Sequence, residues 1–278
     1  MNPILKDLAY ANRSEAQKLD IHLPPTGEGP FPVIVAIHGG AFRVGDKGDA
    51  QHLASLFGGV NRGYAVVSVN YRLSGEAKSP LPVHDVKAAV RWIRAHAGQY
   101  GLDPDRIAAW GPSAGGHLSA LLGTSAGVPA LEDLSMGNPE VSSRVQAVVD
   151  WFGPIDFLTM DDQFRMLGVR GAVHNAPDSP ESALIGKPIP EAPGAVALIN
   201  PQTHISADCP PFLIQHGSKD PLIPYLQSAV FADALYRAAG PEKVRFGLLE
   251  GEGHGGPQFD DPKNLDTVFA FLDQHLKP

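Results

Sequence analysis

The stretch RIAAWGPSAGGHLSALLG, residues 106–123, decides the fold prediction because it joins a strand to a helix through one short motif. The apolar run at 106–110 predicts a buried strand, and the leucines at 118, 121 and 122 lie on one face of a helix. Between them, Gly111-Pro112-Ser113-Ala114-Gly115 has the pattern G-x-S-x-G. We predict that Ser113 lies at a sharp turn, where the glycines relieve crowding and a base can reach the exposed hydroxyl.

The rest of the chain alternates short apolar runs with amphipathic segments, which is typical of a mostly parallel sheet covered by helices. The alternating polar and apolar residues at 17–23 predict a half-exposed edge strand. The other predicted strands are 33–37, 64–69, 106–110, 145–151, 212–215 and 244–249. Helical faces are predicted near 83–97, 118–122, 230–235 and 268–272. The predicted fold class is therefore α/β.

The composition excludes several classes of protein. The 278 residues include 22 Lys and Arg against 30 Asp and Glu, and a net charge of -8 disfavours binding to nucleic-acid backbones. No stretch approaches the roughly 18 consecutive apolar residues of a membrane span. The single cysteine, Cys209, excludes an intramolecular disulfide and a cysteine-based metal site.

Residues 156–211 interrupt the alternation, since they show little periodicity and contain prolines at 177, 180, 188, 190, 193 and 201. A structureless loop of that length is improbable within a compact domain unless it has a function or contains short helices. We interpret 1–278 as a single domain with 156–211 as a cap inserted over a site. A linker between two independent domains is the alternative.

The segment His38-Gly39-Gly40-Ala41-Phe42 directly follows a predicted strand. Acyl-transfer chemistry needs N–H donors directed at an oxyanion, and glycines allow a close approach of the backbone to the substrate. We therefore predict that this loop supplies oxyanion donors beside Ser113. His38 is expected to hold the loop in place rather than act as a base.

The best candidate for a general base is His254, in the glycine-rich run at 250–256 after the last predicted strand. That position fits the chain order serine, acid, histidine of hydrolases with this architecture. Structural roles are expected for His117 and His216, while His275 is expected to be solvated.

The predicted acid is Asp220, which follows the strand at 212–215 and thus lies at the edge where such sheets build their sites. Asp156, after the preceding strand, is the competing candidate. Glu250 and Glu252 are close to His254 in sequence, but loop neighbours of this kind are more often solvated. The acid would hold the imidazole in its reactive tautomer.

Metal and nucleotide motifs are absent from the sequence. There is no H-E-x-x-H, no G-x-x-x-x-G-K-[ST], and no strand-placed G-x-G-x-x-G with an acid about 20 residues further on. We expect no metal site and no cofactor. The aromatic residues Trp151 and Phe152 could line an apolar acyl pocket, whereas Trp110 is equally suited to the core.

Taken together, these motifs resemble the α/β-hydrolase superfamily, and more narrowly the bifunctional acetylxylan/feruloyl esterase-like, hormone-sensitive-lipase-like carboxylesterases. The resemblance covers nearly the whole chain and is carried by KLDIHLP (18–24), HGGAFRVGDK (38–47), GPSAGGHLSALL (111–122), SSRVQAVVDWFGPIDF (142–157), PPFLIQHGSKDPLIP (210–224) and EGEGHGG (250–256). Ala41-Phe42 stands where many relatives have glycine followed by tryptophan.

The resemblance implies an α/β-hydrolase fold with a mostly parallel, twisted sheet of about eight strands. It implies a catalytic triad of Ser113, Asp220 and His254, with oxyanion donors from Gly39, Gly40 and Ala114. The expected activity is hydrolysis of short acyl or hydroxycinnamoyl esters, including acetylated and feruloylated sugars, through an acyl-enzyme.

Two alternatives remain open at this point. An aryl-formamidase or aminopeptidase would use the same loop and triad, and a binding protein could keep the fold without the chemistry. The expected partner is a small-molecule or carbohydrate ester, and the oligomeric state is undetermined. The N-terminus lacks signal-peptide features, which favours a cytoplasmic location, although a secreted protein whose leader had been removed would look the same.

Overall fold

The structure, a computed structural model, describes residues 4–277 and contains one eight-stranded sheet over that range. The strands are β1 (Ile4–Ala9), β2 (Lys18–His22), β3 (Phe31–Ile37), β4 (Ala65–Val69), β5 (Leu102–Pro112), β6 (Ala147–Trp151), β7 (Phe212–Gly217) and β8 (Val244–Leu249). Their order in the sheet is β1-β2-β4-β3-β5-β6-β7-β8. Strands β3 to β8 run parallel, and β1 and β2 run antiparallel to their neighbours.

Ten α-helices occur within residues 4–277. They are α1 (Ala54–Phe57), α2 (Leu81–Ala95), α3 (Ala97–Tyr100), α4 (Ala114–Thr124), α5 (Met160–Met166), α6 (Pro180–Ile185), α7 (Pro193–Leu198), α8 (Leu226–Ala239), α9 (Pro257–Asp260) and α10 (Pro262–Leu276). None of the helices in the described range has the length and apolar character needed to span a bilayer.

Both faces of the central strands are buried, which explains their nearly continuous apolar runs. In β3, Val33 and Val35 face one apolar cluster, and Ile34 and Ala36 face another. Residues of α2, α4 and α8 belong to the first cluster, and residues of α1 and α10 belong to the second. The predicted α/β class and the α/β-hydrolase fold are confirmed.

One prediction about the sheet is wrong. The alternation at 17–23 indicated an edge strand, but β1 pairs with the outer side of β2, so β2 lies inside the sheet. Leu19 and Ile21 are accordingly fully buried. Strand β1 could not be predicted, because most of its residues are exposed and its sequence shows no alternation of buried and exposed positions.

The segment 156–211 lies between β6 and β7 and contains α5, α6 and α7 with three 3-10 turns, Phe157–Thr159, Ile189–Glu191 and Pro201–His204. Its prolines have a local role, because Pro180 and Pro193 begin helices at a position where a missing N–H costs no hydrogen bond. The interpretation of 1–278 as one domain with a cap over 156–211 stays a prediction.

Candidate active site

The predicted site residues follow the carboxyl ends of four parallel strands. Gly39 and Gly40 follow β3, Ser113 follows β5, Asp220 follows β7, and His254 follows β8. Because β3 and β5 are neighbours in the sheet, the two loops that follow them start side by side.

Ser113 lies in a strained turn between β5 and α4. Its φ of 56° and ψ of -122° place a non-glycine residue at positive φ. The Ser113 N–H donates a 2.8 Å hydrogen bond to the Trp151 carbonyl, which ties the turn to β6. A Cβ on Gly115 would lie 2.0 Å from the Ile37 carbonyl oxygen, so the second glycine of the motif is required for close packing.

A continuous hydrogen-bond chain joins Ser113, His254 and Asp220. His254 Nε2 lies 2.9 Å from Ser113 Oγ, and His254 Nδ1 lies 2.7 Å from Asp220 Oδ2. An ionised carboxylate only accepts, so Nδ1 carries the proton and Nε2 is free to accept the serine proton. The ring of His254 packs edge-on against Phe152, with centroids 4.7 Å apart.

The carboxylate of Asp220 is buried, and four hydrogen-bond donors surround it. Oδ1 accepts from the N–H groups of Leu222 at 2.8 Å and Ile223 at 2.9 Å. Oδ2 faces His254 at 2.7 Å and His216 Nε2 at 3.2 Å. Burial alone would raise the pKa of Asp220, but the hydrogen bonds from His216 and His254 outweigh it and hold the pKa well below its usual range.

His216 is a neighbour of the acid that sequence reasoning treated only as a structural residue. It is fully buried, with Nδ1 2.7 Å from Ser228 Oγ and Nε2 3.0 Å from the Ile223 carbonyl oxygen. This arrangement orients Nε2–H toward both the carbonyl and Asp220. The i, i+4 spacing to Asp220 is the only sequence signal that could have indicated the contact.

The loop after β3 packs directly on the serine turn. A Cβ on Gly39 would lie 3.4 Å from Ser113 Cβ, so the backbones of the two loops are close. Within residues 4–277, the N–H groups of Gly39, Gly40 and Ala114 donate no hydrogen bond. These donors are available for an oxyanion.

The conformation of this loop is held by unusual backbone angles and by His38. Gly40, Ala41 and Phe42 all have positive φ, at 106°, 55° and 59°. His38 is buried, stacks on Tyr71 with centroids 4.4 Å apart, and places Nδ1 2.8 Å from the Gly39 carbonyl oxygen. The geometry agrees with the structural role predicted for His38.

A cavity of about 920 Å³ opens over Ser113 and His254. Trp151, Phe152 and Phe259 line it, which matches the prediction for the first two, whereas Trp110 is fully buried and does not. The volume lies near the upper end of the roughly 300–1,000 Å³ of small-molecule pockets.

The competing acid residues have other contacts. Asp156 Oδ1 accepts from the Leu158 N–H at 3.1 Å and begins a 3-10 turn. Burial raises the pKa of Asp156. Glu252 accepts from the Gln258 N–H at 3.3 Å, and the Glu250 carbonyl oxygen accepts from the Gln258 side chain at 3.0 Å. None of these carboxylates hydrogen-bonds His254 within residues 4–277.

The same cavity contains a buried pair that was not predicted, His174 and Glu181. Both belong to the 156–211 segment, both line the cavity, and each is 3% exposed. No motif marks them, because neither lies at a strand end or in a recognisable spacing.

Comparison with known proteins identifies the family of this chain. Residues 19–235 match the BD-FAE family over more than half of the chain. The chain belongs to the BD-FAE family. This BD-FAE member is 36% identical over 271 residues to the probable carboxylic ester hydrolase LipM of Mycobacterium tuberculosis, covering 95% of this chain and 59% of LipM. The chain thus spans little more than half the length of this curated relative.

Solved structures resemble this BD-FAE chain over nearly its whole length. One is a truncated form of a carbohydrate esterase from gut microbiota, with a TM-score of 0.88 and 33% identity, covering 99% of this chain and 97% of that one. Another is a bifunctional GH43-CE of Bacteroides eggerthii, with a TM-score of 0.86 and 36% identity, covering 98% of this chain and 35% of that one.

No metal site was predicted for this BD-FAE chain. Over residues 4–277, no group of three or more His, Cys, Asp or Glu side chains is arranged to hold a metal ion.

Proposed function

We propose that this BD-FAE protein is a serine carboxylesterase with Ser113 as nucleophile, His254 as general base and Asp220 as its acid partner. The observation that carries the proposal is the hydrogen-bond chain from Ser113 Oγ through His254 to Asp220, at 2.9 and 2.7 Å, at the base of a substrate-sized cavity. Relatives named as ester hydrolases support the same reaction class.

In the first half of the reaction, His254 Nε2 takes the proton of Ser113 as the hydroxyl oxygen attacks the ester carbonyl. The carbonyl oxygen becomes an oxyanion and accepts hydrogen bonds from the free N–H groups of Gly39, Gly40 and Ala114. The positive charge on His254 lies against the Asp220 carboxylate. The imidazolium then gives its proton to the departing alcohol, which leaves an acyl-enzyme on Ser113.

In the second half, His254 takes a proton from water, and the resulting hydroxide attacks the acyl carbon. The same donors hold the second oxyanion. Ser113 leaves with the proton returned by His254, and the carboxylic acid is released. Asp220 stays ionised throughout, because its four donors stabilise the charged form.

The proposed substrates are esters of short acyl or hydroxycinnamoyl acids with carbohydrate alcohols. Trp151, Phe152 and Phe259 give the cavity an apolar wall suited to an acyl group or an aromatic ring. Similarity to a structure named as a carbohydrate esterase favours a sugar as the alcohol. The 156–211 segment contributes residues to this cavity and would act as its cap.

The test measures hydrolysis of 4-nitrophenyl acetate by the wild type and by Ser113→Ala. We expect kcat to fall about 10⁶-fold, because the nucleophile acts as a unit with His254. Ser206→Ala, at an exposed serine, is the matched control and should keep full activity. Retention of most turnover by Ser113→Ala would rule out the assignment.

Assays with a panel of esters then test the proposed substrate class. Acetylated xylan and methyl ferulate should both be hydrolysed, and a fluorophosphonate probe should label the wild type but not Ser113→Ala. Hydrolysis of N-formylkynurenine without hydrolysis of acetyl esters would point to an aryl-formamidase. A folded wild-type protein that resists the probe would point to a binding protein.

A further inference from the structure

His174 and Glu181 form a buried ion pair in the wall of the cavity that contains Ser113. His174 Nδ1 lies 3.0 Å from Glu181 Oε2, and both side chains are 4% exposed. Ionised groups are rarely buried without a specific reason, since removal from water costs several kcal/mol per ion. Nothing in the triad mechanism requires this pair.

The histidine of the pair is fixed from several sides. Its Nε2 donates to the Leu222 carbonyl oxygen at 2.9 Å, and its backbone N–H donates to Asp161 Oδ1 at 2.7 Å. The ring stacks on Phe164 at an angle of 11°. Burial opposes the charged form of His174, but the contact with Glu181 outweighs it and raises the pKa of the imidazole. The contact with Glu181 thus favours the charged form of His174.

The carboxylate of Glu181 keeps unused capacity to accept hydrogen bonds. Glu181 Oε2 is enclosed and faces His174 Nδ1 at 3.0 Å, whereas Oε1 is not enclosed and accepts no hydrogen bond within residues 4–277. An ionised carboxylate can accept about four hydrogen bonds. Since Glu181 lines the cavity, a bound molecule can donate hydrogen bonds to Oε1.

The charge balance indicates which donors fit. In its charged form His174 balances the charge of Glu181, so a cationic ligand would bring an uncompensated charge into a buried site. Neutral hydroxyl groups supply the hydrogen bonds without that cost. The neighbouring cavity residues Val173 and Leu222 are 67% and 48% exposed, and they offer apolar surface to the C–H face of a sugar ring.

The pair is connected to the triad candidates through residues 220–223. His174 bonds the Leu222 carbonyl, and the Leu222 N–H bonds Asp220, which contacts His254. His254 must reach the leaving oxygen to protonate it. We therefore expect the alcohol part of an ester, rather than the acyl part, to lie toward Glu181.

We propose that Glu181, held by His174, is a hydroxyl-binding subsite that selects polyhydroxylated alcohols, such as sugars, as the leaving group. The inference rests on the proposed esterase function, because it assigns the alcohol side of that same cavity.

The test compares two acetate esters, methyl 2-O-acetyl-β-xyloside and cyclohexyl acetate, which share the acyl group and differ in hydroxyls. In Glu181→Gln, the ratio of kcat/KM for the xyloside over cyclohexyl acetate should fall about 10–100-fold, because a charged acceptor is lost. Glu191→Gln, at an exposed glutamate of the same 156–211 segment, is the matched control and should keep the ratio of the wild type.

An unchanged ratio in Glu181→Gln would overturn the inference, as would an equal loss on both esters, which would indicate a structural role. If Glu181→Gln does not fold, Glu181→Asp keeps the charge but withdraws it by one methylene, and the same fall in the ratio is expected.

A binding measurement tests this inference independently of the esterase proposal. Titration of methyl β-xyloside should show binding to the wild type and at least about tenfold weaker binding to Glu181→Gln. A wild type that hydrolyses neither ester contradicts the esterase function, and the titration still decides the role of Glu181. Equal affinity of the two proteins for the xyloside would overturn the subsite.

Discussion

Replacing Asp220 with asparagine exchanges one acceptor oxygen for an N–H donor inside a ring of four donors. Two of these donors are the backbone N–H groups of Leu222 and Ile223, at 2.8 and 2.9 Å from Oδ1. The other two are the ring nitrogens His254 Nδ1 and His216 Nε2, at 2.7 and 3.2 Å from Oδ2. The new amide must therefore direct its NH₂ group at one of these two pairs.

The backbone donors cannot change, but an imidazole can move its proton to the other nitrogen. The asparagine oxygen should therefore face Leu222 and Ile223, and its NH₂ group should face His254. His254 Nδ1 then becomes an acceptor and Nε2 carries the proton. In that tautomer, Nε2 cannot accept the proton of Ser113, which lies 2.9 Å away.

The expected loss is about 10⁴-fold in kcat, the size found when a triad acid is changed to its amide and the wrong tautomer results. This corresponds to a rise of about 5.4 kcal/mol in the activation free energy, at 1.36 kcal/mol for each factor of ten. KM should change far less, since the Asp220 side chain is buried and does not line the cavity.

The assay is hydrolysis of 4-nitrophenyl acetate at pH 7, with thermal unfolding to check that the variant folds. Asp156→Asn is the matched control, because its carboxylate begins a 3-10 turn and makes no contact with His254. A loss of less than about tenfold in Asp220→Asn, or an equal loss in Asp156→Asn, would refute the tautomer argument.

Two further predictions concern the oxyanion loop and acid stability. Gly40→Ala should lower kcat about 10²–10³-fold, because φ is 106° and the new Cβ would lie 2.1 Å from the Val44 carbonyl oxygen, displacing a donor. Steady-state kinetics checks this, and an unchanged kcat would contradict it. Burial lowers the pKa of His117 to about 4. Below about pH 6.5 this histidine is protonated in the unfolded state but stays neutral in the folded state. The free energy of unfolding is therefore unaffected above pH 6.5 and falls by about 3 kcal/mol toward pH 4. Urea unfolding at pH 6.5 and pH 4 should show this fall in the wild type but not in His117→Gln. An equal fall in the free energy of unfolding of both proteins would contradict the role of His117.

The central strands and the triad candidates could be predicted because both leave local signals. Buried parallel strands need continuous apolar runs, as in β3 and β4, and a serine turn needs glycine on each side. Ser113 and His254 are 141 residues apart in the sequence, and the order of strand ends was enough to associate them. The edge strand β1 could not be predicted in this way, because it is exposed and depends on pairing with β2 rather than on burial.

The part of the cavity wall formed by His174 and Glu181 could not be predicted from the sequence. His174 and Glu181 are seven residues apart in a segment without periodicity, and they meet only through the folding of that segment. The contact of His216 with Asp220 was missed for a related reason, because a buried histidine has the same sequence signature whether or not it touches a reactive group.

The position of β8 has a consequence for how the protein loses activity. This strand pairs only with β7 among residues 4–277, and Phe246 and Leu248 are 40% and 38% exposed, yet the loop that follows it carries His254. Fraying at a sheet margin needs less free energy than opening the interior. Heat or denaturant should therefore abolish the proposed esterase activity while Trp110 and Trp151, on the inner strands, are still packed as in the native state.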